Sequence, residues 1–140
     1  MKKNHSKNLI PSNLLIFLDD TTIPAGFPSP AERAAEHRLH IDDLIVRHPE
    51  ATFFVKMESG AMEGAGLFEG DILVVDRSKA PRHGSIVLVH YQGDFLVRRL
   101  VKRGDGWYIE TASVEYELQK ISDISDTVVW GVVTHSVHSV

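Results

Sequence analysis

The sequence predicts a mainly β protein. Its body is expected to be a compact, strongly bent β-structure, preceded by a short helical segment and an extended arm. Three observations support this fold class. From Ala51 onward, apolar residues follow the two-residue period of strands. Short glycine-containing turns separate these segments, as in sandwiches and barrels. A chain of 140 residues is also long enough for one domain with a sizeable core.

The N-terminal part of the chain is predicted to be a flexible arm. We assign residues 1–30 to this arm and residues 31–140 to the body. Residues 1–8 are basic and polar, so we expect them to be disordered. Three prolines within residues 24–30 favour an extended backbone and oppose pairing in a helix or sheet.

A helix start follows the arm. Residues 29–32 read Ser-Pro-Ala-Glu, in which serine can cap, proline suits the first helical position and glutamate completes a capping box. The sequence therefore predicts a helix to about His40. A second short helix is predicted over residues 41–47, and Pro49 ends it.

The body is predicted to contain six strands joined by short connections. Residues 92–94 and 104–106 are typical of hairpin loops. The predicted strands cover residues 52–58, 71–77, 85–91, 95–102, 106–111 and 127–140. The apolar run 128–133 should be buried on both faces, either inside the body or at a subunit interface.

Residues 53–76 organise the rest of the body. Two apolar runs flank a loop with four glycines, which is too short for a full helix but can hold one turn. Such a strand, loop and turn form a shelf where nucleophiles and oxyanion-binding N–H groups are often found. The residue on this shelf is Ala61, which has no reactive side chain. Without further information, a small residue packed on a turn is the simpler interpretation.

Composition excludes several classes of function. The absence of cysteine rules out disulfides, cysteine-based zinc sites and thiol nucleophiles, and it fits a reducing cytoplasm. The apolar run 14–18 ends at Asp19, so neither secretion nor a membrane span is expected. A net charge of −4 argues against strong direct nucleic-acid binding by the whole chain.

No cofactor or metal site is expected. His37 and His40 could share a helical face, and His135 and His138 lie three residues apart on a strand. Neither pair has an evident third ligand, so surface histidines are the better interpretation. The glycines of the 60–70 loop are not a dinucleotide fingerprint, because no long helix follows them.

Across most of its length the chain resembles the self-cleaving S24 peptidase family of LexA- and UmuD-type proteins, and the UmuD-type members most closely. The resemblance rests on short ungapped motifs. These are Gly-Phe-Pro-Ser-Pro-Ala at 26–31, His-Pro at 48–49, Ala-Thr at 51–52, Phe-Val-Lys at 54–56, Gly-Asp at 70–71, Val-Asp at 75–76, His-Gly at 83–84 and Gly-Val-Val at 131–133. The resemblance implies a β-rich LexA/signal-peptidase-like fold.

The family cuts its own N-terminal arm with a serine and a neutral lysine. In the ungapped match the nucleophile position falls on Ala61, the general-base position on Arg98 and the scissile bond on Ala25-Gly26. Alanine is no nucleophile, and arginine stays protonated near neutral pH. The resemblance therefore implies a substrate-like bond in a chain that does not cleave itself by the family's mechanism.

Nearby residues are not expected to replace the missing groups. If the first strand continued, Ser59 would lie about 7 Å from Ala61, and Lys102 lies roughly 13 Å from Arg98 along its strand. Arg98 and Arg99 point to opposite faces. Arg98 could be a solvated residue or could form an ion pair with an acid such as Glu58 or Glu63.

The resemblance also implies partners. These are a homodimer, an UmuC-type DNA polymerase subunit, a RecA-type filament and an active UmuD-like paralogue that could cut the arm in trans. The implied role is that of an accessory subunit of error-prone translesion synthesis in the SOS DNA-damage response. A homodimer contact near the C-terminal strand is expected.

Two alternatives remain open from the sequence. An active serine-lysine autopeptidase that cuts Ala25-Gly26 could have been inactivated by substitution at positions 61 and 98. The double change and the altered residues 58–60 favour natural degeneration, since one substitution suffices to inactivate a peptidase. The second alternative is a small β-barrel binding module without a role in DNA damage, which requires the shared motifs to be coincidental.

Overall fold

The computed structural model describes residues 15–17 and 38–140, and an antiparallel seven-stranded sheet dominates the described part. A separate two-stranded sheet pairs Leu15–Phe17 with Arg38–His40, and a short helix follows directly at Ile41–Ile45. Short 3-10 turns cover Pro49–Ala51 and Glu63–Ala65. The elements are β1 (Leu15–Phe17), β2 (Arg38–His40), α1 (Ile41–Ile45), β3 (Thr52–Lys56), β4 (Ile72–Asp76), β5 (Ile86–Tyr91), β6 (Asp94–Arg103), β7 (Gly106–Glu110), β8 (Leu118–Ile121) and β9 (Val129–Val137).

The mainly β fold class is confirmed, and each of the six predicted strands overlaps an observed one. Glu63–Ala65 supplies the single turn predicted between β3 and β4. The β5–β6 hairpin has a two-residue loop, in which Gln92 (φ 51°) and Gly93 (φ 88°) both lie in the left-handed region. This geometry suits the twist of the two strands, and only glycine adopts it without strain.

Two details differ from the sequence-based expectation. The helix predicted to reach His40 is wrong at its end, because Arg38–His40 forms β2 and pairs with Leu15–Phe17 of the predicted arm. Pairing with an apolar strand here outweighs local helix propensity. Residues 29–37 lie outside the described part of the chain. Strand β8 was not predicted, since its four residues carry two adjacent polar side chains in the middle.

Strand β9 is the last in sequence but lies in the interior of the sheet, whose order is β3-β4-β9-β5-β6-β7-β8. It pairs with β4 on one side and β5 on the other, with a register shift in each pairing. Val129, Gly131 and Val132 are buried there. Half of the apolar run 128–133 is therefore buried inside the body, and Val128, Trp130 and Val133 are partly buried.

The sheet packs on both faces. On β5, Val87 and Val89 belong to one buried cluster and Leu88 to the other, because neighbouring strand residues point to opposite sides. The Leu88 cluster is covered by Met57, Met62 and Leu67, which come from the connection between β3 and β4. The second cluster joins β5 and β9 to the buried side chains of β6, β7 and β8. The connection that carries Ala61 is thus an integral part of the core.

None of the helices in the described part of the chain has the length and apolar character needed to cross a membrane.

Candidate functional site

The connection between β3 and β4 holds Ala61 in a fixed position. Its two ends are joined by a backbone hydrogen bond from Met57 N–H to the Asp71 carbonyl, at 2.8 Å, and by another from Gly70 N–H to the Met57 carbonyl, at 2.7 Å. Met62, next to Ala61, is fully buried. This anchoring side chain fixes the shelf because moving it would open a cavity in the core.

The shelf is also bonded to the chain that follows β7. Ala112 N–H donates to the Ala61 carbonyl at 2.8 Å, and Gly64 N–H donates to the Ala112 carbonyl at 2.6 Å. A Cβ atom at residue 64 would lie 2.7 Å from that carbonyl oxygen, so this approach requires glycine. These bonds place the shelf against the end of β7, and hence beside β6.

Arg98 lies on β6, opposite Val87 of β5. Its side chain is half-buried, and its Nη1 donates to the Val97 carbonyl at 2.8 Å. Its Nε is buried and has no hydrogen-bond acceptor among the described residues. Burial lowers the pKa of the Arg98 guanidinium, and the negative charge of Glu117 partly offsets this effect. Arginine nevertheless stays protonated in proteins, so Arg98 cannot act as a general base near neutral pH.

The structure brings Ala61 and Arg98 into the lining of the same open cleft, of about 1080 Å³, which we call the main cleft. A second cleft of about 710 Å³, the side cleft, lies beside β3 and β6. Ser59 and Arg98 line both. Two positions 37 residues apart in sequence therefore line one cleft, and at these positions the chain offers neither a hydroxyl nor a neutral amine.

The prediction for Ser59 was wrong in its geometry. It assumed a continuing strand, but β3 ends at Lys56, and the chain turns so that Ala61 N–H donates to Ser59 Oγ at 3.3 Å. The Ser59 hydroxyl therefore lies at the shelf itself. Its proximity follows from the turn, which the sequence pattern did not reveal.

The acid that acts on Arg98 is also different from the two named from the sequence. Glu117, which follows the 112–116 loop, supplies the opposing charge, whereas no ion pair among the described residues joins Arg98 to Glu58 or Glu63. Thr111 N–H donates to the Glu117 carbonyl, which ties this segment to the end of β7. The proximity of residue 117 depends on β8, the strand that was not predicted.

Two buried aspartates form hydrogen bonds with histidines outside the clefts. Asp71 is 2% exposed, and its Oδ1 lies 2.6 Å from His138 Nδ1, while Asp76 Oδ2 lies 2.7 Å from His48 Nδ1. Sequence reasoning treated His138 as a surface residue and missed this contact. Within the described ranges, no group of three histidine, aspartate or glutamate side chains could hold a metal ion.

The cleavage-like bond Ala25-Gly26 lies outside the described residues, so the structure does not relate it to the clefts.

Comparison with known proteins adds the evolutionary context. The family model described as Peptidase S24-like matches residues 17–134, which is most of the chain and includes positions 25, 26, 61 and 98. The chain belongs to the S24 peptidase family. Within that family it is UmuD-like, as the sequence motifs predicted.

Three relatives illustrate the similarity. The chain is 39% identical to Protein MucA of Salmonella typhimurium over 115 residues, covering 81% of this chain and 78% of that protein. It is 40% identical to Protein ImpA of Salmonella typhimurium over 114 residues, covering 81% and 77%. It is 44% identical to Protein SamA of Salmonella typhimurium over 77 residues, covering 55% of each. The S24 scaffold therefore extends over most of this chain.

Proposed function

We propose that this S24-family chain is an accessory subunit of an error-prone translesion DNA polymerase in the SOS DNA-damage response, and that it does not cleave itself. The observation that carries the proposal is that Ala61 and Arg98, at the nucleophile and base positions, line the same cleft. Similarity to MucA, ImpA and SamA supports the general role, because these are UmuD-type relatives. Under this proposal the scaffold serves for docking.

The chemistry of self-cleavage explains why these two positions matter. The family mechanism needs a hydroxyl that attacks the scissile carbonyl and an uncharged amine that accepts its proton. A methyl group and a protonated guanidinium supply neither. The Thr111 hydroxyl of the main cleft is already engaged, since it donates to the Glu115 carbonyl and accepts from Glu117 N–H.

Intact mass spectrometry tests the absence of self-cleavage. The native chain is incubated alone with an activated RecA-type filament. In a separate incubation, an active UmuD-like protein with the same filament is the positive control. We expect the chain to remain at full length while the control is cut. A fragment beginning at Gly26 would overturn the proposal. If that fragment disappeared in a Ser59→Ala variant, Ser59 would be the replacement nucleophile.

The same assay tests cleavage in trans. Ala25-Gly26 resembles the bond that the family cuts, so an active paralogue is a candidate partner in addition to a second copy of this chain. We expect an active homologue to release the fragment from the native chain and not from a Gly26→Pro variant, because proline at that position removes the scissile N–H and alters the backbone. If the native chain stays uncut in this assay, cleavage in trans is ruled out and the chain acts as a permanently full-length subunit.

Association measurements test the docking role. We propose a homodimer that binds an UmuC-type polymerase subunit. Sedimentation of the native chain should show a dimer, and addition of the polymerase subunit should produce a larger complex. A monomer that gives no complex with any UmuC-type subunit from the same cell would contradict this part of the proposal.

A second candidate function is that of an autopeptidase whose dyad residues have been replaced. The observation that favours it is that positions 61 and 98 line the same cleft. The Ala61→Ser and Arg98→Lys double variant distinguishes the candidates, with each single variant as a control. If the double variant releases a fragment beginning at Gly26 and neither single variant does, the scaffold is still competent for self-cleavage. An intact double variant would favour a docking protein with further changes around residues 58–60.

A further inference from the structure

The basic residues of this chain are concentrated in one stretch. Residues 77–108 contain seven lysines and arginines and two aspartates, which gives this stretch a formal charge of +5. The rest of the chain has eight lysines and arginines and 17 acidic residues, a charge of −9, and the two values give the total of −4. The low total charge therefore does not reflect the positive charge of residues 77–108, which acts locally on a partner.

The fold gathers part of this stretch at the tip of the β6–β7 hairpin. Lys102 N–H donates to His83 Nδ1 at 3.0 Å, so the turn before β5 lies against β6. On the other side, β8 adds Lys120, which lies opposite Tyr108 of β7. The resulting surface, which we call the basic tip, consists of Arg82, His83, Lys102, Arg103, Trp107, Tyr108 and Lys120.

The cations of the basic tip are accessible and mostly unpaired. Its four exposed lysines and arginines are Arg82, Lys102, Arg103 and Lys120. Within the described part of the chain, no ion pair engages Arg82, Lys102 or Arg103. Lys120 Nζ lies 3.9 Å from Asp105 Oδ2, and exposed ion pairs of this kind are weak. The four cations and this aspartate leave the tip with a charge of +3 when histidine is counted as neutral.

Two aromatic rings lie among these cations. Lys102 Nζ is 5.1 Å from the centre of the Trp107 ring. On the opposite face of the sheet, Arg103 Cζ and Lys120 Nζ are 5.7 Å and 5.9 Å from the centre of the Tyr108 ring. Trp107 packs against the second buried cluster, and the Tyr108 hydroxyl is hydrogen-bonded to the hairpin loop, so both rings are held in place. Each face of the tip thus presents a positioned ring beside a cation.

Cations interleaved with aromatic rings suit the chemistry of single-stranded nucleic acid. Each nucleotide carries a phosphate, which pairs with lysine or arginine, and a planar base, which stacks on an aromatic ring or on a guanidinium. A duplex presents its phosphates but exposes only the edges of its bases. An acidic peptide would pair with the cations and leave the rings without a planar partner. The aromatic rings therefore favour a single strand over these two ligands.

We propose that the basic tip binds single-stranded DNA, with its cations on phosphates and with Trp107 and Tyr108 each stacking on a base. None of the residues of the tip lines the main cleft or the side cleft, so this surface is separate from positions 61 and 98. The choice of DNA over RNA rests on the proposed function, whereas the tip itself does not. The expected affinity is modest, because the rest of the chain is acidic.

Fluorescence anisotropy of a labelled oligothymidylate of about 20 nucleotides tests the proposal. The full-length chain is used alone, so a failure to bind a polymerase subunit would not affect the result. If about three phosphates are contacted, we expect the affinity to fall about 15- to 20-fold between roughly 50 and 200 mM salt. Absence of binding at the lower salt concentration would overturn the proposal. Equally tight binding of a duplex of the same length would overturn the assignment to single strands.

Matched double variants locate the site. Lys102→Gln with Arg103→Gln should weaken binding about tenfold and reduce its salt dependence, because two phosphate contacts are lost. Arg47→Gln with Lys56→Gln removes the same charge from exposed positions outside the tip and should leave binding unchanged. Lys120→Gln, on a different strand, is an independent variant and should weaken binding about threefold. Equal weakening by the two double variants would overturn the assignment to the tip, and urea denaturation checks that each variant folds.

The stacking contact and the other ligand class have tests of their own. Tyr108→Leu keeps the charge of the tip, so it should weaken binding about fivefold without changing the salt dependence. Unchanged affinity in this variant would contradict the stacking. If polyglutamate displaces the oligothymidylate as well as unlabelled oligothymidylate does, the tip is a surface for acidic proteins and the proposal is wrong. Clearly tighter binding of oligouridylate would overturn the choice of DNA.

Discussion

At the scale of single residues, Arg98 combines partial burial with incomplete hydrogen bonding. Its buried Nε has no acceptor among the described residues, and only Glu117 offsets the effect of burial on its charge. An unsatisfied buried donor costs about 1–3 kcal/mol. Partly buried charged groups with incomplete hydrogen bonding are common at functional sites.

We therefore predict that Arg98→Met stabilises the protein. The unbranched apolar side chain removes the partly buried charge and its unpaired donor, so the free energy of unfolding should rise by about 1 kcal/mol. Urea denaturation measures it. The matched control is Arg99→Met. The Arg99 side chain is 35% exposed and its Nη1 lies 3.9 Å from Glu110 Oε2, so its loss should leave stability unchanged or lower it by up to about 1 kcal/mol. A greater loss in Arg98→Met than in Arg99→Met would refute the prediction.

Residue identity indicated what positions 61 and 98 cannot do, because a methyl group and a guanidinium lack the chemistry of a nucleophile and a base. Residue identity did not reveal which groups surround them. Ser59 reaches the shelf through a turn, and Glu117 reaches Arg98 through an unpredicted strand. The Ser59 hydrogen bond depends on the turn after β3, and the position of Glu117 relative to Arg98 depends on how β6, β7 and β8 lie in the sheet.

At the scale of elements, β9 depends on a close contact between strands. Gly131 is buried between its neighbours, and a Cβ atom there would lie 2.6 Å from Val75 Cγ1 on β4. Val75 is itself completely buried, so it has little room to move. The glycine therefore allows β9 to pack against β4 in the sheet interior.

We predict that Gly131→Ala destabilises the protein by about 1–3 kcal/mol, because the added methyl overpacks the contact with Val75. Thermal or urea unfolding measures the change. Gly104→Ala is the control, since Gly104 lies in an exposed loop where a Cβ atom meets nothing within 4 Å. Equal stability of the two variants would show that β4 and β9 accommodate the methyl group by moving apart.

The sequence predicted where most of the strands lie, but it did not predict which strands pair with each other. Periodic apolar residues and the Gln92-Gly93 turn identified β5 and β6 together with their connection. Arg38–His40 was misassigned because its strand conformation accompanies pairing with Leu15–Phe17, which is more than 20 residues away. Local patterns carry no information about such a distant partner.

At the scale of the whole molecule, two histidine–aspartate hydrogen bonds join segments that are distant in sequence. His138, beyond the end of β9, bonds to Asp71, and His48, before β3, bonds to Asp76. Burial alone would raise the pKa of Asp71. Hydrogen bonds from Phe68 N–H and His138, together with the charge of His138, outweigh burial and hold the pKa below its ordinary value of 3.8.

This shift has a defined sign for stability. The folded state binds the Asp71 proton less readily than the unfolded chain does, so ionised Asp71 stabilises the fold above about pH 4. The stabilisation is lost as the pH falls through the lower, folded-state pKa. We predict that Asp71→Asn is less stable than the native chain by about 1–3 kcal/mol at pH 7. The difference should narrow below about pH 4.

Urea denaturation across a pH series measures this difference. Asp94→Asn, an exposed residue at the β5–β6 hairpin, is the control and should follow the native chain at every pH. A gap between Asp71→Asn and the native chain that stays constant down to pH 2 would show that the ionisation of Asp71 does not contribute to stability.

The amino-acid sequence by itself determined the fold class, the S24 resemblance and the chemistry missing at positions 61 and 98, because these follow from residue type, local period and short motifs. Only the tertiary structure decided that Ala61 and Arg98 share a cleft, that Glu117 rather than Glu58 or Glu63 acts on Arg98, and that β9 lies inside the sheet. The physical reason is that these relations depend on pairing between distant segments, and the free energy of that pairing belongs to the assembled sheet and its two buried clusters.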